Sequence, residues 1–193
     1  MAKNRNLINN TFYNFKLRKR PSLFIGSYII LCSFFIKTTL KGFTTDSSPF
    51  GFLTVNYLED FIFLLTILAF VFSLLSLFFG NRRHCRKIGN KLWNRNSKKM
   101  MWLLVFLITL FYCISFYFLR TGEEIFIIPS FIMFYGILLM TLNFSKHKAV
   151  YLFSFCCFCF GFIPLFFDKS GFFTLYILGI SHYIYAYTNN ISE

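Results

Sequence analysis

His182 lies in the stretch LGISHYIYAY (178–187), where a histidine and three tyrosines interrupt an otherwise apolar run. An ionisable side chain in such a run is costly to bury, and imidazole exchanges protons near neutral pH, so His182 is the first candidate for chemistry. Gly179, His182 and Ala186 recur at i, i+3, i+7 and share one helical face, with small residues around the ring. Small residues let helices approach, so this face is predicted to pack inward. Tyr135 lies at matching depth in an earlier run. His182 is eleven residues from the far end of its run and Tyr135 ten from its own, which places both about 15–17 Å in. A Tyr135–His182 hydrogen bond is therefore geometrically open, with Gly136 as the small neighbour. The pair has two readings. A neutral imidazole cross-links two helices, worth about 1 kcal/mol, or the ring relays protons or contacts a ligand. No Asp or Glu occurs at mid-depth in any apolar run, which weighs against the relay.

Other candidates have plainer explanations. Ser181 and His182 are sequence neighbours and point about 100° apart on a helix, so a serine–histidine dyad would need two different helices. The CCFC cluster (156–159) lacks a neighbouring His or carboxylate to complete a zinc site, and its thiols read as small hydrophobes. Glu123 and Glu124 precede a helix start, where negative charge is favoured. Glu59 and Asp60 could bind a cation together with Asp46, but a solvated helix start is the plainer reading of the pair. The sequence calls for no metal and no cofactor.

The elements that must position these residues are apolar helices. The chain has 193 residues, 56% hydrophobic and only 14% charged, against about 25% charged in soluble domains. Lipid is the expected solvent. The 31 phenylalanines are read as fillers of leucine-type positions with no individual role. Six runs, at about 22–40, 58–79, 100–119, 125–142, 149–167 and 171–188, are each near the ~20 residues a helix needs to cross hydrocarbon. Gly136, Gly161, Gly179 and Ala186 mark positions of close helix packing. Short loops join the last four runs, so these helices should pack as antiparallel neighbours. The expected organisation is a basic segment over 1–21, two helices over 22–79, a basic loop over 80–99 and a four-helix bundle over 100–188. Ile8, Phe12 and Phe15 form a weak apolar stripe in the first segment, suited to a helix on the membrane surface.

Charge sets the orientation. Residues 1–20 carry six Lys/Arg, the 80–99 loop eight and the 143–148 loop two, all on one side of a six-helix topology. Positive charge marks the cytoplasmic side, so both termini are expected there. The net charge of +13 thus reflects topology; no soluble segment is long enough to carry a nucleic-acid module. Within the 80–99 loop, Arg82, Arg83, Arg86, Lys87, Lys91 and Trp93 are the candidates for contact with anionic phospholipid headgroups or with a membrane or cytoplasmic protein partner. Tyr183, Tyr185 and Tyr187 lie progressively nearer the same side, where their hydroxyls could reach water.

The segments KIGNKLWNRNSKKM (87–100), PSFIMFYGILLMTLNFSK (129–146), YLFSFCCFCFGFIPLFF (151–167) and GFFTLYILGISHYIYAY (171–187) occur in a telling order. In order and spacing the chain resembles a family of small bacterial membrane proteins common in Bacteroidetes. Those proteins carry K-x-G-x-x-L-W, then P-x-x-x-x-Y-G, then Y-L…G…L-F-F, then G-x-x-H-x-x-Y-G. The resemblance covers residues 80–188 and implies the topology but no activity. Ala186 stands where the pattern ends in glycine. The reading is an all-α, six-helix integral protein of the bacterial inner membrane, both termini inside, acting structurally or through partners. A small transporter or channel is the alternative, and an intramembrane enzyme the next.

Overall fold

A computed structural model describes residues 17–45, 55–87, 89, 93, 95–142, 148–167 and 171–188. The stripe through Ile8, Phe12 and Phe15, the Asp46 loop, Lys91, Leu92 and Lys146 lie outside the described residues, as do the side chains of Glu124 and Lys148. The described residues form α1 (Lys19–Thr45), α2 (Val55–Lys87), α3 (Arg95–Thr121), a 3-10 turn (Glu124–Phe126), α4 (Ile127–Leu142), α5 (Lys148–Phe160), α6 (Ile163–Phe166) and α7 (Gly171–Thr188). No strand occurs among them.

Local chemistry explains the ends. Pro21 lies in the first turn of α1, where its missing N–H matters least, and the next N–H, of Ser22, donates to the Arg18 carbonyl at 2.9 Å. α3 stops at Gly122, which has φ 74°. The following N–H, of Glu123, reaches back to the Phe118 carbonyl at 2.9 Å and closes the last turn. α2 runs through Lys87, so Arg82, Arg83, Arg86 and Lys87 sit on a helix where a loop is expected. These four are good helix formers. Packing of Gly80 on Pro21 and burial of Asn81 and Cys85 carry the helix past weaker ones until Gly89, whose φ of 72° ends it.

The run expected as one helix over 149–167 is broken. Pro164 lacks an N–H, and its ring would clash with the carbonyl four residues back, at Phe160. The chain tightens instead, with Gly161 and Phe162 N–H groups donating to the Phe158 and Cys159 carbonyls at 3.1 Å each. α6 then continues for one turn.

α4 is the central helix, packed against α2, α3, α5 and α7. Its sequence IIPSFIMFYGILLMTL is apolar on all sides, as a surrounded helix requires. Phe131, Ile132, Tyr135, Leu138 and Leu139 are wholly buried. The most extensive contact in the molecule joins α1 to α7, so the packing crosses the expected boundary between a two-helix start and a four-helix bundle. Aromatic rings link α2, α3 and α4: Phe70 stacks on Phe111 at 5.3 Å, and both meet Phe131 edge-on at about 6 Å. These phenylalanines are specific packing partners.

α1 and α2 meet through a notch. A Cβ on Gly80 would overlap the Pro21 ring, and Ser76 donates a long hydrogen bond to the Pro21 carbonyl, 3.3 Å. Gly80→Leu should therefore lower stability by about 2–3 kcal/mol through overpacking. Phe79→Leu, on the exposed face one residue away, should change little. Unfolding in mixed micelles reads the difference, and equal stability of both variants would remove the notch from the account.

The interior is matched by an apolar exterior. Phe24, Phe34, Leu64, Phe106, Leu152, Phe173 and Ile184 are among many large hydrophobic side chains left exposed around the bundle. Contiguous apolar surface of that extent marks a membrane or partner interface. Lys19–Lys41, Tyr57–Lys87 and Ser97–Thr121 are long and apolar enough to cross a membrane; the helices at Ile127–Thr141 and Tyr151–Phe166 are apolar but shorter.

Candidate functional site: a buried serine–histidine–tyrosine cluster

α1 and α7 run antiparallel along a seam of small residues. Gly26 and Gly179 face each other: a Cβ on Gly26 would lie 2.8 Å from the Gly179 carbonyl oxygen, and one on Gly179 would lie 3.1 Å from that of Gly26. Farther along, Ser33 donates to the Phe172 carbonyl at 2.6 Å. Beside Gly26, Ser27 and Tyr183 share a hydroxyl hydrogen bond of 2.6 Å. Backbones brought this close leave room only for small groups between them.

His182 projects from this seam into the junction of α1, α4 and α7. Tyr135 Oη lies 2.6 Å from His182 Nε2, and Ser22 Oγ lies 3.0 Å from His182 Nδ1. The Ser22 hydroxyl also donates to the His182 carbonyl oxygen at 2.9 Å. All three residues have 0% exposure. The geometry assigns the protons. A carbonyl only accepts, so the single Ser22 hydrogen goes there and Ser22 Oγ accepts from Nδ1–H. Nε2 is then bare and accepts the Tyr135 hydrogen. One neutral tautomer satisfies every contact. Phe153 of α5 packs edge-on to the imidazole at 5.0 Å, and Phe131 stacks on the Tyr135 ring at 6.0 Å.

The cluster thus contains the Tyr135–His182 bond at matching depth, together with a third member, Ser22, that the sequence reading missed. The signal was present as Ser22 and Gly26 at i, i+4, a small-xxx-small step near the start of α1. Gly136 and Gly161 also sit in tight contacts. A Cβ on Gly136 would lie 2.7 Å from the Phe158 backbone nitrogen, and one on Gly161 2.6 Å from Met133 Cγ. Ala186 is wholly buried on the same face as His182. Tyr185 departs from expectation: it is buried, its ring stacks on Phe153 at 5.3 Å, and its hydroxyl donates to the Leu17 carbonyl at 3.4 Å. The chain leading into α1 covers it, so its hydroxyl meets a carbonyl in place of water. Tyr187 is exposed.

Chemically, a serine and a histidine on two helices could suggest nucleophilic catalysis. Here the serine hydrogen is committed to a carbonyl, and rings occupy the space beside the imidazole. No group of three or more His, Cys, Asp or Glu among the described residues could hold a metal. Cys157 is buried, whereas Cys159 is exposed and Cys156 half-buried, so CCFC does not converge.

At the end of the bundle where α2 stops and α3 starts, the headgroup candidates group together. Arg82, Arg83, Arg86 and Lys87 are exposed and line one cleft with Phe79. Trp93 packs on Phe78 at 5.8 Å and lines a second cleft with Lys98, Met101, Trp102 and Val105. Neither cleft includes Ser22, Tyr135 or His182.

Fold and site together define an all-helical protein with three helices able to cross a membrane and a sealed polar junction inside. Compared with known proteins, the chain matches no family model, no curated protein and no solved structure.

Proposed function

We propose that the chain is a six-span protein of a bacterial inner membrane, both termini in the cytoplasm, that acts structurally or through partners. Kinship with the small Bacteroidetes membrane proteins is part of the same proposal. The observation that carries the reading is the Ser22–His182–Tyr135 cluster. Its hydrogen-bonding groups are satisfied by one another inside a phenylalanine-lined interior, so they act to hold three helices together. Two of the shorter helices come near the spanning length: 16 residues in α4 and 18 in α7 are about 24 and 27 Å long, against the ~30 Å of a hydrocarbon core. α5, at 13 residues, is about 20 Å and extends further only through the break into α6. The orientation rests on the Lys/Arg asymmetry.

Single-cysteine labelling tests the topology. On a background without native thiols, Glu123→Cys should react with a membrane-impermeant maleimide on intact cells. Lys98→Cys should react only after permeabilisation. The reverse pattern would overturn the orientation, and labelling of both on intact cells would overturn the six-span arrangement. A small transporter or channel is the second reading, favoured by the break between α5 and α6, since interrupted helices line substrate paths in such proteins. A polar path from one surface to His182, seen as labelling of His182→Cys by a small water-soluble thiol reagent, would move the reading there.

A further inference from the structure

The face of α2 that carries the exposed cations has a composition suited to one kind of ligand. Phe79, Arg82, Arg83, Arg86 and Lys87 recur at i, i+3, i+4, i+7, i+8 and therefore form one stripe, which lines an open cleft of about 580 Å³. The opposite side of the same turns holds Leu77, Asn81 and Cys85, all buried against the bundle. Toward the middle of the helix the stripe continues through Phe72 and Leu75, both exposed. One surface of one helix thus passes from apolar to fourfold cationic within two turns. At 33 residues α2 is about 50 Å long, against about 30 Å of hydrocarbon, so its last turns project into the headgroup layer. The carboxylates of its own sequence, Glu59 and Asp60, lie in the first two turns, about 33 Å from Arg82, and cannot neutralise the stripe.

We propose that this face is a binding site for one anionic phospholipid of the bilayer. Its phosphate is held by Arg82, Arg83, Arg86 and Lys87, and an acyl chain lies along Phe79, Leu75 and Phe72. Guanidinium forks one helical turn apart match a phosphate's oxygens bidentately, which a diffuse field of lysines does not. The apolar half of the stripe selects a phosphate attached to a chain over a soluble one. The proposal deepens the membrane reading and rests on it.

The test uses the full chain purified in a neutral detergent, with bound lipid counted by native mass spectrometry and affinity read by titration of phosphatidylglycerol against phosphatidylcholine. The wild type should retain phosphatidylglycerol in preference. R82Q/R86Q should weaken it by about tenfold or more, as expected for two lost cations at a headgroup. The charge-matched R20Q/K99Q, exposed cations outside the cleft, should stay within about twofold. R82K/R86K keeps the charge but loses the forks and should fall between. Equal losses in R82Q/R86Q and R20Q/K99Q would overturn the site in favour of diffuse attraction. Glycerol phosphate competing as well as the lipid would show a soluble anion site, and loss of stability without loss of lipid preference would show cations that only cap the helix; either overturns the proposal. Alkaline carbonate extraction separates its failure from that of the membrane reading: a chain released from membranes loses both, a retained chain lacking lipid preference loses only the site.

Discussion

His182→Phe is expected to destabilise the protein by about 1–3 kcal/mol, and adding Tyr135→Phe to it should restore most of that loss. The phenyl ring fills the imidazole's space but leaves the Tyr135 hydroxyl buried without an acceptor, and an orphaned buried hydroxyl carries the full desolvation penalty. Removing the hydroxyl as well converts the junction into an apolar one of similar shape. Tyr135→Phe alone leaves Nε2 unpaired and should cost about 1–2 kcal/mol. His182→Ala adds a cavity between Phe153 and Tyr135 and should cost about 3–5 kcal/mol. In His182→Phe the Ser22 hydroxyl can keep its bond to the residue-182 carbonyl. Ser22→Ala, by contrast, leaves the buried Nδ1–H without an acceptor and should cost about 1–2 kcal/mol, like Tyr135→Phe. Denaturant unfolding of the purified chain in mixed micelles reads the series. If His182→Phe is as stable as the wild type, or if the double variant is worse than His182→Phe, the cluster does not hold the helices as described.

Gly179→Leu should have the larger effect, separating α1 from α7 altogether. A Cβ at 179 already lies 2.5 Å from Ile30 Cγ1 and 3.1 Å from the Gly26 carbonyl oxygen, and the mirror contact at Gly26 is with the Gly179 carbonyl and His182 Cβ. Side chains can turn aside; carbonyl oxygens fixed in a helix cannot. Even alanine should cost about 1–3 kcal/mol by overpacking, and a leucine must push the two helices apart, which also draws Ser22 away from His182. Proximity gives a direct readout. The Ser27 and Tyr183 hydroxyls meet at 2.6 Å, and Ser27→Cys with Tyr183→Cys leaves a tyrosine ring's length between the thiols, too far for a direct disulfide. A short bifunctional thiol reagent should crosslink them, and the crosslink should vanish in Gly179→Leu. Gly171→Ala is the control, since a Cβ there meets only the Ile128 side chain, its flexible Cδ1 closest at 3.2 Å and the rest at ordinary contact distance. Persistence of the crosslink in Gly179→Leu would rule out the close glycine contact.

How much was legible beforehand differs from residue to residue. Depth along a helix is a matter of counting, so Tyr135 and His182 could be set at one level from their distances to run ends. Which helices are neighbours is not a matter of counting. Short connections pointed to contacts among the last four runs, and α4 and α5 do pack closely. The partner of α7, however, is α1, the helix farthest from it in sequence, because Gly26 and Gly179 permit a backbone approach that no adjacent pair of loops dictates. Ser22 was missed for that reason: next to a proline and a basic cluster it reads as an ordinary helix start, and its i, i+4 step to Gly26 marks a helix contact without naming the partner. Tyr185 was misplaced for a related one, since periodicity cannot say that the chain before α1 folds over its hydroxyl.

The amino-acid sequence by itself determined the apolar character of the chain and where most of its helices lie, though not the helical turns over 80–87 or the break before Pro164. Hydrophobic composition, run lengths and the positions of Pro and Gly follow from transfer free energy and backbone sterics, which act locally and can be read in one dimension. It also determined which residue would be exceptional, because a histidine in an apolar run stands out wherever the run is placed. Only the tertiary structure decided what that histidine does. Its protons are assigned by a serine from α1 and a tyrosine from α4, and hydrogen-bond direction depends on atoms brought together across 160 and 47 residues of chain. The same holds for the cationic stripe: the sequence counts its charges, but the continuation of α2 as a helix through Lys87 aligns them on one face.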